Sequence, residues 1–148
     1  MIISDFKNFP KCGRLLGIDW GIRRMGIAIS TPGQEFVFAH PQIANSKEQI
    51  AIEKIVEIIN SEKIVGIVVG LPLRLDGTES KTTAMVREFA DALAGQIALP
   101  IILIDESLTS AEAEEGMKDE GRGMKNLDSE SARIILENAI SVIRRKIE

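Results

Sequence analysis

Cysteine, histidine and long apolar runs are scarce in this chain, and each scarcity removes a class of chemistry. The single cysteine, Cys12, cannot close an internal disulfide, which fits a reducing compartment and a cytoplasmic location. The single histidine, His40, stands before Pro41 at the end of a short apolar segment, so serine–histidine catalysis is disfavoured. The longest apolar stretches, IVGIVVGL and IALPIILI, fall far short of the roughly 20 residues that cross a bilayer. They read as buried strands, and no membrane partner is expected. The first residues, with Asp5, Lys7, Pro10 and Lys11, lack the continuous apolar core of a secretory signal. A basic excess is missing too. The formal net charge is −4, which argues against coating nucleic acid by charge alone. It leaves room for a metal-dependent nuclease, whose bound cations add positive charge that a residue count omits.

What is present suits one ordinary domain. With 148 residues, 45% of them hydrophobic, the chain can bury roughly 68–70% of its unfolded surface. Residues 1–13 read as an N-terminal extension and 14–148 as a single domain without repeats or low-complexity tracts. RLLGIDWGIRRMGIAIST, from Arg14 to Thr31, is two apolar runs around a glycine-flanked turn, a hairpin of adjacent strands. EFVFAH, ending before Pro41, predicts a third antiparallel strand. Ser46 and Gln49 form a capping-box pattern, and Ile52, Ile55, Val56 and Ile59 recur at helix spacing, predicting a helix over 46–61. Ile64 to Leu71 is a strand apolar on both faces, as helix-covered parallel strands are. A second helix is expected over about 79–96 with the stripe Val86, Phe89, Ala90 and Leu93, then the strand IILID. Two last helices are expected over roughly 109–119 and 128–147; Thr109 and Glu112 supply a capping box for the first of them. The order β-β-β-α-β-α-β-α-α predicts an α/β fold with a five-stranded mixed sheet, its three antiparallel strands first, flanked by helices.

Acidic residues mark the ends of these elements, where open α/β sheets gather their chemistry. Asp19 lies inside an apolar strand, where an ionised carboxylate is costly unless paired or metal-bound. The structural alternative is a salt bridge to Arg23 or Arg24. Asp105 and Glu106 end the strand IILID. Asp128 extends the apolar stripe Ala132, Ile135, Leu136, Ala139, Ile140 and Ile143, so it is expected on the face toward the sheet, unless it serves only as a helix N-cap. Three convergent carboxylates suit Mg²⁺ or Mn²⁺, which take oxygen ligands. Two such ions serve in-line phosphoryl displacement. Asp76-Gly77-Thr78 reads as a turn before a helix as readily as a substrate contact. Arg122, Lys125 and Arg133 near Asp128 are candidate phosphate contacts or plain surface.

Four blocks carry a family resemblance: GIDWGIRRMGIAIS at 17–30, VVGLPLRLDGTES at 68–80, IDESLTSAEAEE at 104–115 and KNLDSESARIILENAI at 125–140. Together they resemble the YqgF family, described both as Holliday junction resolvases and as pre-16S rRNA nucleases. The resemblance implies an RNase H-like fold and metal-dependent cleavage of structured nucleic acid, with precursor ribosomal RNA the favoured substrate and branched DNA the alternative. It matches Asp19, Glu106 and Asp128 to the family's acidic catalytic and metal-binding positions, with Asp105 in reserve for Glu106. Arg24, Asp76, Thr78, Glu79 and Lys125 match further motif positions, for substrate binding or loop ordering. Two positions depart from the pattern: Ser107 stands where the family usually has Arg, and Thr31 where Asp is common.

Two other classes compete. The first block also resembles the phosphate-binding hairpin of actin-like ATPases and sugar kinases, but those proteins hold nucleotide between two such domains and this chain has the length of one. A non-catalytic RNA-binding assembly module fits the acidic balance, yet has no need to bear three mutually repelling carboxylates. A junction resolvase would act as a symmetric homodimer, whereas trimming one RNA end requires only a monomer.

Overall fold

A computed structural model of the chain describes residues 1–106 and 127–147, leaving aside the side chains at 127, 128, 146 and 147. The expected helix over 109–119, its Thr109–Glu112 capping box, Ser107 and Arg122 lie outside the described residues. The described elements are strands β1 (Ile2–Ile3), β2 (Arg14–Asp19), β3 (Arg24–Ser30) and β4 (Val37–Ala44), helix α1 (Glu48–Glu62), strand β5 (Ile64–Leu71), helix α2 (Lys81–Ala94), strand β6 (Ile101–Asp105) and helix α3 (Leu127–Ile147).

Six strands form one mixed sheet in the order β1-β6-β5-β2-β3-β4. The hairpin β2–β3 and its neighbour β4 are antiparallel, while β5 and β6 run parallel to β2. The sheet has one strand more than the sequence pattern suggested, because Ile2 and Ile3 pair in parallel with Ile101 and Ile102. A two-residue strand has no periodicity to read. The same N-terminal stretch sends Phe6 and Phe9, edge to face with ring centroids 5.6 Å apart, into the apolar layer beneath α3.

Alternation along the strands divides the core into two layers. Leu16, Ile18, Ile27, Ile67 and Val69 pack against Ile52 and Ile55 of α1 and Phe89 and Leu93 of α2. Leu15, Ala28, Val68 and Ile102 face Ala132, Ile135, Leu136 and Ala139 of α3. Burying each large side chain of this kind contributes about 1.5–3 kcal/mol, so both faces of β5 are committed to packing. Helix α3 lies close on the sheet because β2 has no side chain at Gly17. A Cβ there would sit 2.9 Å from Leu136 Cβ and 3.1 Å from the Ala132 carbonyl.

Three local expectations are corrected. Strand β4 runs through Pro41 to Ala44 instead of stopping at His40. It is the edge strand, and its register against β3 shifts between Met25 and Ile27, so Pro41 falls at an irregularity where a missing N–H costs little. The Ser46–Gln49 capping box does not form. Helix α1 starts after Lys47 with no side-chain cap, and the Gln49 amide instead exchanges hydrogen bonds of 3.1 and 3.0 Å with Gln96. Helix α2 begins at Lys81, two residues later than expected, because Ser80 and Thr83 form a capping box there.

Candidate active site

Parallel pairing brings the ends of β2, β5 and β6 to one edge of the sheet. Asp19 is the last residue of β2, paired with Gly26 of β3. The register Ile18↔Val69 sets Gly70 beside Asp19, and Gly70 pairs in turn with Ile104 of β6. Glu106 follows two residues after Ile104, its backbone N–H donating to the Leu71 carbonyl at 3.2 Å. By alternation, Asp19, Gly70, Ile104 and Glu106 share the face covered by α3.

Gly70 decides the geometry at the centre of this row. A Cβ on it would lie 2.7 Å from Glu106 Oε2 and 2.5 Å from Ile135 Cδ1. The Glu106 carboxylate therefore occupies the space that a side chain at 70 would need, level with Asp19 on the neighbouring strand. Glu106 is buried, at 7% exposure, and Asp19 is half-buried, while Asp105 pairs with Leu71 on the opposite parity and is exposed. Of the two adjacent acids, Glu106 is the one turned toward Asp19.

The third acidic position, Asp128, lies in the first turn of α3, one helical turn before Ala132, whose carbonyl stands over Gly17. The helix starts at the same edge of the sheet and crosses to the opposite end, where Arg144 reaches the Gln34 carbonyl at 2.9 Å. Where the Asp128 side chain goes lies outside the described residues, and among those described no group of three His, Cys, Asp and Glu gathers as a metal site. The two described carboxylates offer only oxygen donors on one face, a donor set that suits Mg²⁺ or Mn²⁺.

The loop after β5 is held by its own side chains. Asp76 Oδ1 accepts from the Thr78 hydroxyl at 2.6 Å and the Thr78 N–H at 3.0 Å. Arg74 donates to the Glu79 carbonyl at 3.0 Å, and the Glu79 carboxylate takes two bonds of 2.9 and 2.8 Å from Arg87. Asp76 and Thr78, expected with Glu79 as substrate-binding or loop-ordering residues, are thus engaged within the loop, and Glu79 ties the loop to Arg87 of α2. The Thr78 hydroxyl, and after it the Thr78 N–H, hold the Asp76 carboxyl below its ordinary value of 3.8. The turn is fully supported above that pH and loses this support as pH falls through the lowered value. Thr78→Val is expected to return the Asp76 titration toward 3.8 in an NMR pH series; an unmoved midpoint would refute the hydroxyl as its main cause.

Arg24 is exposed at the start of β3, on the site edge. Lys125 lies outside the described residues. Arg133 bonds Glu130 at 2.8 Å and Glu137 at 2.6 Å along its own helix, so it is engaged in α3 and is a poor candidate for phosphate. His40 is structural: its Nδ1 lies 3.0 Å from the Pro41 carbonyl, and its own carbonyl accepts from Ser129 Oγ at 2.9 Å. Thr31 closes the β3–β4 turn at the far end of the sheet, its hydroxyl accepting from the N–H groups of Glu35 and Phe36. Sequence reading missed Gly70, which it had counted as part of an apolar strand. The signal was there, since a glycine inside a strand often marks a close approach.

A family model described as RuvX, Holliday junction resolvase, matches residues 13–142. The chain belongs to the RuvX family. This is the YqgF resemblance of the four blocks under its other name. One RuvX relative, from Maridesulfovibrio salexigens and named "Putative pre-16S rRNA nuclease", is 44% identical over 128 residues, covering 84% of this chain and 95% of its own. Another of the same name, from Orientia tsutsugamushi, is 42% identical over 149 residues, covering 95% and 94%. Among solved structures, the yeast mitochondrial Holliday junction resolvase Ydc2 matches with a TM-score of 0.59 and 13% identity over 94% of this chain and 82% of its own. The T. thermophilus RuvC in complex with Holliday junction substrate matches at 0.52 and 13%, over 88% and 94%. These likenesses place the RuvX chain in the RNase H-like fold expected from its sequence.

Proposed function

We propose that this chain is a divalent-metal-dependent nuclease that hydrolyses phosphodiester bonds of structured nucleic acid, with 5′-end maturation of the small-subunit ribosomal RNA precursor as its favoured role in the cytoplasm. One observation carries the reading: the Glu106 carboxylate lies in the space left open at Gly70, level with Asp19 on the neighbouring strand. A strand edge that gives up a core side chain to seat a buried acid level with a half-buried one gathers oxygen donors on one face, the donor set that a hard divalent cation takes. Asp19, Glu106 and Asp128 would hold Mg²⁺ or Mn²⁺, which supplies Lewis-acid activation of water and charge neutralisation at the phosphate.

The chain's own residues do the rest. Strand ends fix Asp19 and Glu106 at one height, and α3 closes the face behind them with Ile135 and Leu136. Arg24 stands at the same edge, where it can meet the phosphate backbone. Lys125, adjoining α3, is proposed for the same task, and Asp76, Thr78 and Glu79 for shaping the loop beside the substrate. Trimming one RNA end requires one such site, which a monomer supplies; resolving a four-way junction requires a symmetric pair.

The test is cleavage of a 5′-extended small-subunit ribosomal RNA precursor and of a four-way DNA junction, with Mg²⁺ or Mn²⁺ and again with a chelator. Metal-dependent cutting of the RNA, abolished by chelation, is the expected result. Cutting of the junction alone would move the substrate to branched DNA. Cutting of neither would sink the nuclease reading.

A further inference from the structure

Leu75 is fully exposed, at 101%, on a loop whose polar side chains bond one another at the surface. Arg74 N–H donates to the Thr78 carbonyl at 2.9 Å and Gly77 N–H to the Arg74 carbonyl at 2.8 Å, while Leu73 and Glu79 bridge across the base. The Asp76–Thr78, Arg74–Glu79 and Glu79–Arg87 bonds already described complete the frame. A single exposed leucine ordinarily needs no explanation. This one is the tip of a small hairpin whose polar groups bond one another and leave the apolar side chain to project.

Its place gives the projection a target. The loop leaves β5 at Leu71, whose carbonyl binds the Glu106 N–H, so its root is part of the carboxylate edge. Four residues at about 3.3 Å each set the tip at most about 13 Å from Leu71. Ile22, 67% exposed, projects from the β2–β3 turn at the same edge, next to Arg23 and Arg24. Proteins that deform nucleic acid insert leucine, isoleucine or similar apolar wedges between base steps and unstack them.

We infer that Leu75 is such a wedge, pressing on the base pairs beside the phosphodiester to be cut. The inference rests on the nuclease reading and names a specificity-determining residue for it. Its chemistry is that of a stacked base step next to a scissile phosphate, in RNA or DNA.

The test uses the full chain carrying Asp19→Asn, so that substrate stays intact. The probe is 2-aminopurine placed beside the cleaved bond of whichever substrate, precursor RNA or four-way junction, the unmodified chain cuts. Binding is expected to raise its fluorescence through unstacking. Adding Leu75→Ser is expected to remove that rise and to weaken binding about 10-fold, equivalent to ~1.4 kcal/mol, while Leu75→Phe retains both. A Leu75→Ser protein that binds and unstacks as well as its parent would overturn the wedge and leave the nuclease standing. If the unmodified chain cuts neither substrate, the nuclease reading fails and takes the wedge with it.

Discussion

Asp19→Asn is expected to lower phosphodiester cleavage about 10²–10⁴-fold while leaving the chain folded. The substitution keeps the shape of the side chain and removes its charge. Metal-assisted stabilisation of the transition state is worth several kcal/mol, and each ~1.4 kcal/mol is tenfold in rate. Asp19 ends β2 half-buried and outside both apolar layers, so its replacement should leave the packing of Leu15, Leu16 and Ile18 intact. Single-turnover cleavage with saturating Mg²⁺ reads the effect, and circular dichroism checks the fold. A variant that cuts at the parental rate would remove Asp19 from the site.

Gly70→Ala tests the geometry from the other side, since it adds one methyl group and no charge. The new Cβ would meet Glu106 Oε2 at 2.7 Å and Ile135 Cδ1 at 2.5 Å, closer than carbon atoms tolerate. Either α3 lifts or the carboxylate swings away. Overpacking of this kind costs about 1–3 kcal/mol, and a 1 Å displacement of a reacting group costs about 10²-fold in rate. Both losses are expected together, in thermal unfolding and in cleavage. Gly17→Ala serves as the comparison, because its Cβ would press on Leu136 and the Ala132 carbonyl without touching either described carboxylate. If Gly70→Ala lost stability but cut normally, the strain would have gone into α3 and left the Glu106 carboxylate in place; a Glu106→Gln variant that also cut normally would remove Glu106 from the reaction.

Much of this was legible in the residues. Alternation and helix periodicity marked β2, β3, β5, β6, α1, α2 and α3, because each buries a face or a stripe large enough to impose its period. Misreadings came where a local signal competed with tertiary contacts. Pro41 looked like a strand end, yet an edge strand accommodates it. Ser46 and Gln49 looked like a capping box, yet Gln49 bonds Gln96 from a distant segment.

By itself the sequence determined the fold class, the family and which acids deserved attention, because hydrophobic period and motif spacing are written along the chain. Only the tertiary structure decided that Glu106 and not Asp105 faces Asp19, that Ile2–Ile3 make a sixth strand, and that Gly70 makes room for a carboxylate. Those outcomes depend on strand register and on the approach of α3, which join residues far apart in sequence and leave no periodic trace in it.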